Sequence, residues 1–303
     1  MDTFWPGLGA NWGRWGDEDE RGALNLAGPE RVRAAAGGVR TGRAISLARP
    51  LRNGLPAYYP RAGDTAFEHQ MITWWGSNAG GDVQAASDRL TSECHGLEIT
   101  HMDALSHIGH RGRGYGGRDF ASMTGPDGAA RCDITAAVPV VTRAVLADIP
   151  RLRGVEHLPA GTAVGHDELA AAAPGLGPGD ALIVRTGRWS APAPDPGPDD
   201  DGDRYGHLSG LHPDALRFVA DRDAAVVGTD GPGDAFPVAV DDCRLPVHVL
   251  ALVYLGVHLV HSMALDELAD ALAAEGRDDF MLVIGPLAVP GGTGSPVTPV
   301  AVL

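Results

Sequence analysis

Only three cysteines stand in the 303 residues, Cys94, Cys132 and Cys243, and no two are spaced as C-x-x-C. Their scatter excludes a disulfide framework and a thiolate zinc site, and it fits reduced thiols in a cytoplasm. No apolar run approaches the roughly 18 residues that cross a bilayer, so no membrane span is expected. The opening, Met1-Asp2-Thr3-Phe4-Trp5-Pro6, has neither the basic nor the apolar segment of a secretory signal. Positive charge is short as well: 24 Lys and Arg face 39 Asp and Glu, a formal net charge of −15. An acidic surface repels phosphate backbones, which argues against nucleic acid as a partner. Absent too are the nucleophile elbow G-x-S-x-G and the zinc-helix motif H-E-x-x-H.

Glycine and proline are plentiful, 42 and 23 residues. That many helix breakers exclude a helical bundle and favour a turn-rich fold with a sheet. With 44% hydrophobic residues the chain can bury a real core. Short β-branched runs read as buried strands at 138–147, 181–186, 224–230 and 280–284. Helices are expected at 30–36 after Pro29, at 166–173, at 212–220 with Pro213 in the first turn, at 246–255 ended by Gly256, and at 266–274 ended by Gly276. The expectation is one domain over 1–303, α/β (α+β), with a mixed central sheet and short peripheral helices. The Pro/Asp/Gly run 190–203 has nothing to bury and reads as an exposed loop.

The chemistry concentrates in His95-Gly96-Leu97-Glu98-Ile99-Thr100-His101-Met102-Asp103-Ala104-Leu105-Ser106-His107. His101 and Asp103 are two apart, so on an extended strand both leave one face. An imidazole and a carboxylate converging on a point suit zinc, manganese or iron. His107 can reach back over that point as a proton carrier. Isolated histidines are usually plain surface or core residues; three with a carboxylate at this spacing are better read as a site.

A second stretch, His248 to His261, adds candidates. His248 opens an otherwise apolar helix, where an unpaired ring would cost about 1–3 kcal/mol. His258 and His261 differ by three, so a strand sends them to opposite faces. His101, Asp103, His248 and His261 together make a plausible metal count. Gly291-Gly-Thr-Gly-Ser-Pro296 lacks the Lys of a phosphate loop and reads as a flexible turn at the site's mouth. Asp230, in Gly228-Thr-Asp-Gly-Pro-Gly-Asp234, reads as an ordinary turn or as a residue presented at a sheet edge. Trp12, Trp15 and Trp75, with His95, are candidates to contact a substrate, an aromatic or cyclic small molecule.

These residues resemble a family, the cyclase-like metal-dependent hydrolases that include bacterial kynurenine formamidase and isatin hydrolase. The second half of its signature His-x-x-x-His-x-Asp-x-x-x-His is matched by His101, Asp103 and His107. Residues 95–107 also fit the His-Gly-x-x-x-Thr-His-x-Asp-Ala-Leu-x-His pattern of its longer members. Asn11 to Gly16, Gly22 to Leu26, Gly179 to Gly187, Val227 to Asp230, Leu245 to His248 and Gly291 to Pro296 look like further landmarks. The resemblance implies a swivelling β/β/α domain, a homodimer, bound zinc or manganese, and hydrolysis of an amide or lactam. Two positions depart from the pattern. Leu97 stands where the first family ligand would be, and His261 stands where a late glutamate would be. His95 or Glu98 could substitute for the missing ligand.

Three readings follow. The first is a hydrolase using one divalent metal, with His107 as general acid/base. The second is a metal-free cyclase, dehydratase or isomerase of polyketide-type chemistry, using His101, Asp103 and His107. The third is a binding module without chemistry.

Overall fold

A computed structural model describes residues 5–58, 65–75, 77, 82–137, 139–192, 208–238, 240 and 242–303. From residue 193 onward the loop expected at 190–203 lies outside the described residues, as does Val138 at the head of one expected strand.

The apolar runs become the centre of a nine-stranded sheet. In Ala181–Arg185, Leu182 and Val184 enter one hydrophobic cluster while Ala181 and Ile183 enter another. Val227 and Val226 divide in the same way in Val226–Thr229. Strands apolar on both faces belong inside a parallel sheet covered on both sides. Val140–Asp148, Ala181–Arg185, Val226–Thr229 and His258–His261 are parallel neighbours in that order. Antiparallel strands extend the sheet at both ends: Asp279–Ile284, Val300–Val302 and Ala44–Ser46 on one side, His101–Asp103 and Gly294–Pro296 on the other. Mixed strands with short helices on both faces match the fold class read from the sequence.

Helices Pro29–Gly37, His166–Ala172 and Asp266–Glu275 stand where their caps and breakers put them. Two others differ from expectation. Ala215–Asp221 starts late because His212 Nδ1 accepts the Asp214 N–H at 3.1 Å and holds the preceding residues in a turn. The 246–255 helix opens as one α-turn, Pro246–His248, and continues as a π-helix, Val249–Leu255. Gly256 ends it at φ +66°, and a Cβ there would stand 2.4 Å from Tyr115 Cε2.

The Gly291–Pro296 stretch is a correction. It does not stay a free turn, because Gly294–Pro296 pairs with His101–Asp103 as an edge strand of the main sheet. Sequence reasoning also missed the hairpin of Phe67–Thr73 and Ser87–Ser92, whose residues are mostly polar and exposed and carry no burial signal. The three cysteines are free thiols. Among the described residues, no helix is long and apolar enough to cross a membrane.

Candidate active site

The sheet order assembles the site. His101–Asp103 lies antiparallel to His258–His261, with His101 opposite His261. Residues 95–100 are not strand; they bend back, and Gly96 adopts φ +152°. That return brings His95 Nδ1 to 3.0 Å from Asp103 Oδ1. It is possible only because Gly294 has no side chain, since a Cβ there would come within 2.5 Å of His95 Cε1.

Asp103 is the hub. His95 Nδ1 and His101 Nε2 face Oδ1 at 3.0 and 3.5 Å. His261 Nε2 and His248 Nε2 face Oδ2 at 3.0 and 3.7 Å. The carboxylate is fully buried, yet no guanidinium pairs with it among the described residues. Burial favours its neutral form, but the imidazoles of His107 and His261 hold its pKa well below the usual carboxylate range.

Partners on the far side of two rings fix their tautomers. His101 Nδ1–H donates to the Ile99 carbonyl at 2.8 Å. His248 Nδ1–H donates to Asp234 Oδ2 at 2.5 Å, and the same carboxylate accepts the Val247 and His248 N–H groups. Asp234 therefore caps the 246–255 helix and aims His248 at once. Burial lowers the His101 pKa to about 3, so its ring is neutral with the Nε2 lone pair facing Asp103. Burial would lower His248 too, but the bond and charge of Asp234 raise it.

His107 stacks on His95, ring centres 3.6 Å apart and planes 1° from parallel. Burial pushes its pKa down to about 3. Leu97 contributes only its carbonyl, which accepts from Ser262 Oγ at 2.7 Å.

Five of the residues singled out in the sequence thus meet at one place: His95, His101, Asp103, His248 and His261, with His107 stacked alongside. His258 points elsewhere, as strand alternation requires, and both its ring nitrogens are buried without a partner among the described residues. None of the three tryptophans is among the residues that meet there. Trp12 donates to the Val253 carbonyl at 2.7 Å and stacks on Tyr254, Trp15 packs against the main core, and Trp75 is 77% exposed. Asp230 is buried, where it accepts the N–H groups of Thr186, Gly187 and Arg188.

Asp234 and Thr293, whose Oγ1 lies 3.2 Å from His95 Nε2, were not found from the sequence. One polar residue in a glycine-rich loop carries no signal of which distant ring it will hold.

A buried carboxylate ringed by imidazoles, beside the C-terminal ends of parallel strands, defines an enzyme-like centre for acid–base or metal-assisted chemistry. Its lineage follows from comparison. Residues 45–234 match the Cyclase family model, and this chain belongs to that cyclase family. A crystal structure of a novel cyclase is 32% identical, superposes with a TM-score of 0.85, and covers 97% of this chain and 98% of its own. Isatin hydrolase A from Labrenzia aggregata, bound to benzyl benzoate, is 20% identical with a TM-score of 0.60, covering 88% and 94%. A potential metal-dependent hydrolase with cyclase activity is 18% identical with a TM-score of 0.52, covering 86% and 96%. None of the curated proteins matches this sequence.

Proposed function

We propose that this cyclase-family protein is a metal-dependent hydrolase of a small amide, lactam or ester, with His107 as its general acid/base. One observation carries the metal. His101 Nε2 has no proton, because Nδ1 donates to Ile99, yet it faces the Asp103 carboxylate at 3.5 Å. Two acceptors do not bond one another, and burial strengthens their repulsion. A divalent cation held by these two residues would remove the conflict. His248 is aimed at the same carboxylate, its Nδ1 proton committed to Asp234 and its Nε2 turned to Asp103.

The donor set also fits chemically. Asp103 stands in two groups able to hold a metal, one with His95 and His101 on its Oδ1 and one with His248 and His261 on its Oδ2. Zinc and manganese both accept nitrogen and carboxylate oxygen. His95 takes the place against Asp103 that Leu97 cannot fill. When bound, such a metal acts as a Lewis acid and lowers the pKa of water to about 7. The chain's own groups do the rest. Asp103 and the rings hold position, Asp234 and Ile99 lock two of them, and neutral His107 can accept a proton and return it to the leaving group. The neighbours described as isatin hydrolase and as a potential metal-dependent hydrolase support this reading.

The metal-free reading has one observation in its favour. His95 and His261 each lie 3.0 Å from Asp103 and would bond it directly, which lets His101, Asp103 and His107 act as an acid/base set without an ion. Assay of a cyclic-amide and aryl-ester panel separates the two. The hydrolase reading expects turnover that a chelator abolishes and added Mn²⁺ or Zn²⁺ restores. Full turnover in metal-stripped protein would refute it. The homodimer implied by the family resemblance is part of the same proposal, checked by sedimentation, and so is cytoplasmic residence, checked by fractionation.

A further inference from the structure

Arg188 leaves the end of the Ala181–Arg185 strand through a backbone tied to Asp230, which accepts its N–H at 3.3 Å. Its guanidinium reaches Ser262, the neighbour of His261, and donates to Oγ at 3.3 Å. Glu98 Oε1 stands 3.7 Å away, beyond hydrogen-bond distance. A guanidinium offers five N–H donors. Among the described residues, only Ser262 takes one, although the side chain is just 14% exposed. Arg185 and Arg277, comparably buried, each find a carboxylate at 3.1 Å or closer.

A second cation stands with it. The Trp189 ring is fixed by its N–H bond to the Met263 carbonyl at 2.8 Å. The Arg188 guanidinium lies 4.2 Å from the ring centre and that of Arg49 lies 3.6 Å from it. Arg49 has no carboxylate partner among the described residues. Its N–H donates to Thr100 Oγ1, which in turn donates to the Ser262 carbonyl. Thr100 and Ser262 directly adjoin His101 and His261. Two under-partnered guanidiniums therefore converge on one ring beside the imidazole cluster, in a chain of net charge −15. An acidic protein has carboxylates to spare, so cations left in this state are a binding surface for an anion from outside.

We propose that Arg188 and Arg49, set about Trp189, form an anion subsite that takes a carboxylate of the small molecule bound at the neighbouring cluster. The planar guanidinium fork matches a carboxylate in two-point contact. Glu98 is the internal competitor, near enough to weaken the field but too far to satisfy the fork. That the bound molecule is also hydrolysed rests on the function proposed above; the binding itself does not.

The test is calorimetric titration of the full chain at fixed ionic strength, with benzoate, its neutral isostere benzamide and inorganic phosphate as probes. It is run on metal-stripped and on Mn²⁺-supplemented protein. The expected result is benzoate binding about tenfold or more tighter than benzamide, in both forms. Arg188→Met removes that preference and Arg188→Lys keeps part of it. Glu98→Gln, which leaves both arginines in place, tightens benzoate binding several-fold. Equal affinity for benzoate and benzamide overturns the proposal, as does undiminished benzoate binding in a folded Arg188→Met protein. Phosphate binding more tightly than benzoate at an Arg188-dependent site contradicts the carboxylate assignment. Because no turnover is read and metal is not required, failure of the hydrolase reading would leave this result standing, and the reverse also holds.

Discussion

Asp103 gains its properties from what surrounds it. A fully buried carboxylate normally needs a cation or a proton, and here four imidazoles converge on it instead. The residues behind the rings should matter almost as much as the rings. Asp234→Asn keeps the shape but weakens the grip on His248 Nδ1. Metal affinity is expected to fall about 10–100-fold, read by competition with a chelating dye. Gly233→Ala acts through space: at φ +88° the added Cβ would meet His261 Cε1 at 2.8 Å and push the ring off Asp103. It should also lower metal affinity, and an unchanged value would argue that His261 is no ligand. His107→Ala should lower kcat by about 10²–10⁴ while leaving metal content unchanged, as suits a proton carrier that is not a ligand.

At the scale of elements, stability resides in the central strands. Leu182→Ala empties a fully buried position and is expected to cost about 2–5 kcal/mol in urea unfolding. These strands were legible in the sequence because burial on both faces demands unbroken apolar runs. Helix ends were legible within a residue or two where Pro29, Gly256 and Gly276 mark them. What stayed hidden depends on partners far along the chain. Within 95–107 only His101–Asp103 is strand, and His95 arrives by a bend that Gly294 accommodates from almost 200 residues away. His101, Asp103 and His248 were visible as candidates from spacing and resemblance. Asp234 and Arg188 were not, because a lone Asp or Arg shows its role only when its neighbours are known.

The whole molecule is acidic, and two of its three thiols, Cys132 and Cys243, are buried. Burial pushes the Cys132 thiol up to about 12. At pH 8 its thiolate fraction would be about 10⁻⁴, against about a quarter for an unshifted thiol. Iodoacetamide should therefore label Cys132 slowly in the native protein and rapidly in urea, as followed by mass spectrometry. Prompt native labelling would mean that the segment opens readily.

The cluster around Asp103 is expected to hold a divalent metal. The most direct test is elemental analysis of protein exposed to Zn²⁺ and Mn²⁺ and then gel-filtered, beside Asp103→Asn treated identically. About one tightly held ion per chain is expected in the native protein, with loss of that ion in the variant and the fold intact by circular dichroism. A native protein that retains no ion, or a variant that retains as much, would contradict it.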